Sequence, residues 1–396
     1  MNSFYPIIKR FSLLTLAQAL ITLFPLTLYF LLLNRIEIIH IGAVFSWQTT
    51  FIILASLSNY NFPLNLIPIS KKIKESPLTL NIYLNRCFSL RMFFFILLFL
   101  PILILLPILP NIALYSSFLL LGKLFNPSIF LTTLAKSKQL FIFNFLTKFF
   151  ALIGVYFLIQ NNNWYWTNFI IGFAELAVSI GICIHLRWQF NFKIEGFWKT
   201  ITYLKQEKKV FFIQCVHCLI VFLTIPLTHL FYGPYVAGVV SLADKLLSVV
   251  KNISGSLFFT ILPNFEISNN DYKKQLLTRL NKLLFGMCCL GYFISIILIQ
   301  YNSNFINDKF THNDSIPFLH VIILTGFPII LVTPYQILSF KIKNNKNIFT
   351  ISLKQIAIQI LGLIILGNLW GILGIAFSIL AHEFITFYLY KNEQNT

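Results

Sequence analysis

Apolar runs of membrane-spanning length, divided by short polar joins, make up nearly the whole of this chain. A bilayer core of about 30 Å takes ~20 apolar residues as helix, because backbone N–H and C=O groups find no water there and must be satisfied within the segment. About twelve runs meet that length. They lie near 11–33, 38–60, 87–109, 111–131, 140–160, 164–186, 210–232, 235–262, 283–301, 316–340, 348–366 and 369–390, with the narrowest divisions at Pro107–Asn111 and Tyr232–Pro234. The pattern predicts an all-α membrane protein of about 12 transmembrane helices. Composition agrees: 57% hydrophobic residues, 11% charged residues and a mean hydropathy of +0.79 are far from a soluble domain.

Charge then orients the spans. With the N-terminus inside, the cytoplasmic connections hold Lys9 and Arg10, Lys71 to Arg86, Lys136 and Lys138, Arg187 to Lys209, Lys273 to Lys282, Lys341 to Lys346, and Lys391. The opposite connections hold only Arg35 and Lys309. The positive-inside rule therefore places both termini in the cytoplasm. The net charge of +18 is mostly this orientation signal, helped by attraction to anionic lipid headgroups. Basic residues scattered over short loops, without a nucleic-acid-binding motif, do not point to nucleic acid. Bulky residues from Leu23 to Leu33 leave no small-residue cleavage site, so the first run reads as a retained span.

Catalytic and metal chemistry finds little support. No Walker sequence, dinucleotide fingerprint, G-x-S-x-G, H-E-x-x-H or paired catalytic carboxylates occur, so neither enzyme activity nor direct ATP use is expected, and no cofactor. Cys215 and Cys218 form a C-x-x-C inside a span with no second pair at metal spacing, and all six cysteines read as small buried hydrophobes. The outer loop near 302–315 carries only Asp308, Lys309, His312 and Asp314 as ionisable groups. The inner stretch 187–209 mixes Phe190, Trp198 and Ile201 with Lys193, Lys199 and Lys205, which fits either a helix on the inner leaflet or a solvated linker.

That stretch divides the chain into a lobe over 1–186, a basic linker over 187–209 and a second lobe over 210–396. Weak parallel correspondence joins the halves. Gly42 in Ile41-Gly42-Ala43-Val44 is echoed by Gly238 in Ala237-Gly238-Val239-Val240, Lys148 by Lys354, and Glu175 by Glu383. Matches in one order favour a duplicated bundle, an architecture used by carriers that rock one lobe against the other.

Charge inside a span is costly and needs a reason. The eighth span carries Ser241, Asp244, Lys245, Ser248, Lys251 and Asn252 at three- and four-residue steps along one face, with Lys251 ~24 Å from Tyr235. Such a stripe fits a helix facing a cavity. Lys148 and Lys354 lie ~12 and ~9 Å from their inner ends, where two readings fit: snorkelling to the headgroups, or lining the inner mouth of a cavity. Arg91 and Lys123 read as snorkelling. Glu175 and Glu383 fit proton carriage, ion ligation or pairing with a neighbouring cation. Ser12, Thr15, Gln18 and Thr22 in the first span, with Gln214 and His217 in the seventh, suit helices facing an interior.

Several stretches resemble one family. Ile38 to Phe45, followed by Ser58-Asn59-Tyr60-Asn61-Phe62 and Ile67-Pro68-Ile69-Ser70-Lys71, resembles the second span of polysaccharide-repeat flippases, the O-antigen translocases, with Asn61 in the usual glycine place. Phe125-Asn126-Pro127 before Lys136-Ser137-Lys138 resembles the fourth, without its usual aromatic-Gln-Gly element. Tyr235 to Leu246, running on to Leu262-Pro263, is the best match, to the eighth, and Gly371 to Ala376 with Glu383 resembles the closing span. The family belongs to the superfamily of multidrug, oligosaccharidyl-lipid and polysaccharide exporters. The resemblance implies a two-lobed, MATE-like carrier in the bacterial plasma membrane, moving an undecaprenyl-pyrophosphate-linked oligosaccharide to the outer face. It implies a cationic cavity, with Lys251, Lys245, Lys148, Lys354, Ser248 and Asn252 the local candidates for substrate. Ion coupling falls to Asp244, Glu175 and Glu383. Membrane lipids, a polysaccharide polymerase and a chain-length regulator are the implied partners. A multidrug exporter of the same superfamily is the nearest alternative and should show more acidic than basic buried charge. A polymerase should carry a large basic outer loop.

Overall fold

Where the sequence places its narrowest division, at Tyr232–Pro234, the backbone of one long helix breaks at Gly233. A computed structural model describes residues 23–58, 77–105, 109–133, 136–186, 223–267, 289–297, 315–341 and 345–393, with short pieces at 20–21, 215–216, 218–220, 282, 285–286 and 299–301. Outside them lie the 187–209 linker, the outer loop at 302–314, and Ser12, Thr15, Gln18, Thr22, Gln214 and His217. The chain forms two compact units, Met1–Pro226 and Leu227–Thr396.

Every regular element among the described residues is helical: α1 (Leu23–Leu33), α2 (Ile38–Ser58), α3 (Pro77–Leu105), α4 (Asn111–Leu124), α5 (Ser128–Thr133), α6 (Ser137–Leu158), α7 (Thr167–His185), α8 (Thr224–Ile267), α9 (Cys289–Tyr301), α10 (Ser315–Leu324), α11 (Gly326–Lys341) and α12 (Asn345–Glu393). A single 3-10 turn, Trp164–Trp166, leads into α7. Among the described residues six helices are long and apolar enough to cross a membrane. Two of these exceed one crossing. The apolar stretch Phe349–Asn392 has 44 residues. At about 1.5 Å per residue it runs to some 66 Å, about twice the hydrocarbon core.

Glycine makes the break in each long helix. Gly233 has φ 84° and ψ 172°. Gly371 has φ 59° and ψ −133°. Both lie in backbone regions where a Cβ is strained. The helices on either side are therefore separate spans, as the sequence divisions near 233 and 367 predict.

In the first unit, α7 packs against α4 on one side and α6 on another. α4 and α7 meet backbone to backbone: a Cβ built on Gly172 would lie 2.6 Å from the Phe118 carbonyl carbon, and one on Gly122 2.9 Å from the Gly172 oxygen. Such close approach is how membrane helices gain packing without a hydrophobic driving force. α1 and α2 add a wholly buried core in which Tyr29 stacks on Phe45 at 5.8 Å. In the second unit α10 and α11 pack on α12. There the Tyr232 hydroxyl donates to the Leu363 carbonyl at 2.7 Å.

The two positive-φ glycines yield the first prediction. Gly233→Ala and Gly371→Ala should each cost about 1–3 kcal/mol, read as a lowered unfolding temperature in detergent. Gly291→Ala, in an ordinary helical position with open space around it, should be neutral or slightly stabilising.

Candidate functional site: intramembrane ion pairs

The contact of α4 with α7 sets the first charged cluster. Gly122 precedes Lys123, and Gly172 stands almost one turn before Glu175, so the touching backbones bring these two side chains together. Lys123 Nζ lies 2.7 Å from Glu175 Oε1. The Asn126 amide donates to the same oxygen at 2.5 Å. Glu175 is buried, whereas 30% of the Lys123 side chain is exposed.

Asn126 ends α4 and starts α5. Its side-chain oxygen accepts the Ser128 N–H at 2.8 Å, and Pro127, lacking an N–H, cannot continue the preceding helix. The last carbonyls of α4 would be orphaned there. Arg91 of α3 supplies the donor, reaching the Leu124 oxygen at 3.3 Å and the Asn126 oxygen at 2.8 Å. Arg91 is 3% exposed and does not snorkel, contrary to its position near an inner end. The same correction applies to Lys123. In both cases a partner on another helix offers more than the headgroups do.

Lys148 on α6 is half-buried, with its Nζ 4.5 Å from the centre of the Phe24 ring. It stands within electrostatic reach of both Lys123 and Glu175. Lys123 and Lys148 thus share Glu175, while Arg91 is held by carbonyls, and Glu175 is the one carboxylate among the described intramembrane residues of this unit.

In the second unit Lys251 Nζ lies 2.8 Å from Glu383 Oε1, joining α8 to α12. His382 Nδ1 is 3.8 Å from that oxygen. The Lys251 side chain is 40% exposed and that of Glu383 8%. Asp244 pairs with its neighbour Lys245 at 2.9 Å and remains within electrostatic reach of Lys251. Lys354 lies apart from this cluster and is exposed, while adjacent Gln355 is buried and donates to the Thr386 hydroxyl at 2.9 Å.

The polar stripe on α8 is partly spent on its own helix. The Ser241 hydroxyl donates to the Gly238 carbonyl, and Ser248 to the Lys245 carbonyl, each at 2.7 Å. The side chain of Asn252 lies outside the described residues. Sequence reasoning passed over Asn126 and His382 as site residues. An Asn before Pro at the end of a span, and a His beside an intramembrane Glu, were the signals open to it.

No family model matches the chain. A search of curated proteins likewise finds no match. Solved structures do match over nearly the full length. The lipid II flippase MurJ in an inward closed conformation is 14% identical, with a TM-score of 0.71 over 98% of this chain and 88% of that one. A eukaryotic MATE transporter is 12% identical, with a TM-score of 0.60 over 100% of this chain and 96% of that one. An inward-facing multidrug resistance MATE family transporter of the MOP superfamily is 11% identical, with a TM-score of 0.59 over 97% and 94%. The chain therefore has the all-α, MATE-like fold that MurJ and these transporters share.

Glu175→Ala should destabilise the protein strongly, at the lower end of the ~3–5 kcal/mol expected for a broken buried pair because Lys123 is partly exposed. Lys245→Met should cost about 1 kcal/mol or less, since it removes the buried partner and leaves a carboxylate that is 32% exposed. Unfolding temperatures in detergent check the order, and the double variant Lys123→Met/Glu175→Leu should recover most of the single loss.

Proposed function

We propose that this chain flips undecaprenyl-pyrophosphate-linked O-antigen or related oligosaccharide repeat units from the cytoplasmic to the outer leaflet of a bacterial plasma membrane. It would do so without enzymatic chemistry, by alternating access of two lobes around a cationic cavity. One observation carries the reading: Arg91, Lys123 and Lys148 stand against Glu175 alone among the described intramembrane residues of the first unit. Surplus positive charge is costly in hydrocarbon and suits an anionic headgroup. Within the first unit Lys148 is the cation most open to a phosphate, because it makes no ion pair among the described residues and is not held by carbonyls as Arg91 is. Lys251, with 40% of its side chain exposed, is the second. Glu175, Glu383 and Asp244 are the coupling candidates, each already facing a lysine that an incoming anion would compete for. A polysaccharide polymerase and a chain-length regulator would act on the delivered units.

The competing reading is a multidrug exporter, favoured by the MATE likenesses. A carrier for cationic drugs needs buried acidic surplus, opposite to the sign found here. Deleting the gene in its native host and locating lipid-linked units in the two leaflets separates the readings. Complete units stranded on the inner face support the flippase, whereas unchanged surface glycan with altered drug tolerance supports the exporter. Lys148→Ala should lower flux about tenfold or more, the loss expected for one charge-assisted phosphate contact, at unchanged membrane level. Lys251→Ala should impair flux too, with Lys251→Arg retaining more. Normal surface glycan at matched protein levels would remove these lysines from the site.

A further inference from the structure

Along the outer side of the α6 and α7 pair runs a continuous cavity of about 980 Å³. Its lining advances along α6 from Lys138 to Leu158 and along α7 from Phe169 to His185. At ~1.5 Å per residue the α6 edge is about 30 Å long, the full thickness of the hydrocarbon core. One end is polar: among the described residues Lys138, Gln139 and His185 are the polar side chains that line it, and no described carboxylate does. The floor is firm, since Val178 and Ile182 pack into a buried cluster with Leu131, Leu140 and Phe143. The walls stand open, with Phe150 50% and Phe173 55% exposed, and space lies free above Gly181.

We infer that this groove holds the polyprenyl chain of a polyprenyl phosphate or pyrophosphate, with the anionic head at Lys138 and His185. Length selects the occupant. A phospholipid anchored at that end fills only its own leaflet, about half of the ~30 Å core, so two lipids from opposite leaflets are needed where one polyprenyl chain suffices. A chain that crosses both leaflets covers the cavity from Lys138 to Leu158. Charge selects the end, because the cationic and hydrogen-bonding groups meet a phosphate there while the remaining walls are apolar. The inference deepens the flippase reading and rests on it: the groove would hold the lipid carrier with its head at the inner surface, where loading takes place.

Photo-crosslinking tests this on the full chain. Benzoylphenylalanine is placed singly at Ile142 and Phe173, inside the groove, and at Phe149 and Ile184, which are exposed on the same two helices but do not line it. The protein is reconstituted in vesicles of phosphatidylethanolamine and phosphatidylglycerol with a minor fraction of undecaprenyl phosphate, and adducts are identified by mass spectrometry. The groove positions should give about tenfold more polyprenyl adduct, relative to phospholipid adduct, than the control positions. Lys138→Gln should reduce that ratio, and Gly181→Phe should reduce it further. Equal ratios at all four positions, or adducts with a second copy of the chain in place of lipid, overturn the groove assignment. The flippase reading is judged separately. Equal ratios in a protein whose deletion strands units on the inner face remove the groove alone, whereas enriched adducts with unchanged glycan on deletion remove the flippase reading and keep the groove.

Discussion

A charge held in hydrocarbon costs several kcal/mol unless it meets water, a partner or a dipole, and the internal order of both units follows from how that cost is met. Glu175 and Glu383 are each nine-tenths buried or more, and each is answered by a lysine from another helix, at 2.7 and 2.8 Å. In the first unit the answer requires that α4 and α7 touch, which the glycines at 122 and 172 permit. It also draws in the Asn126 turn, whose carbonyls hold the Arg91 guanidinium. Three helices are thereby tied together through one carboxylate and one loop. Remove the carboxylate and Lys123 loses its anion while Asn126 loses an acceptor.

The pairing is not balanced. Lys148 remains beside the first cluster against the face of the Phe24 ring, and a ring quadrupole compensates a cation only in part. A substrate with negative charge would complete what the protein leaves incomplete. Lys251 offers a different chemistry, because its carboxylate partner is buried while its own side chain is 40% exposed. An anion approaching Lys251 competes with Glu383 for the same ammonium group. Under the proposed reading anion entry and the state of Glu383 are linked by that exchange, with His382 3.8 Å from the same carboxylate oxygen.

Much of this architecture is legible in the sequence because hydropathy and glycine act locally. The division at Tyr232–Pro234 is a positive-φ glycine, and the closing pair of spans parts at Gly371. The placement of charge was less legible. Arg91 and Lys123 read as snorkelling because only distance to a span end enters a sequence estimate, whereas their fate depends on which helix stands opposite. Glu175 is 52 residues from Lys123, and no local pattern joins them. The hydroxyl partners along the α8 stripe were equally hidden from a pattern of spacing. Ser241 and Ser248 counted as polar groups facing a cavity, yet their hydroxyls return to carbonyls one turn back, as short polar side chains do in helices without other partners. The matched positions of Lys148 and Lys354 likewise did not translate into matched surroundings, one being half-buried and the other exposed.

Helix α7 joins the charged cluster and the lipid-facing groove of the first unit through its own periodicity. Gly172, Glu175 and Ser179, spaced by three and four residues, are buried, and the first two meet α4. Phe173, Ala177 and Gly181, spaced by four, line the groove on another face. A helix moves as a rigid body, so a ligand that wedges α7 away from α6 changes its seat against α4 as well. The Lys123 to Glu175 contact is 2.7 Å, and hydrogen bonding is lost by about 3.5 Å, so a displacement of less than 1 Å is enough to break it. Under the proposed reading a displacement of α7 on the groove side would reach the charged side of this unit, which suits a carrier that handles tail and headgroup together.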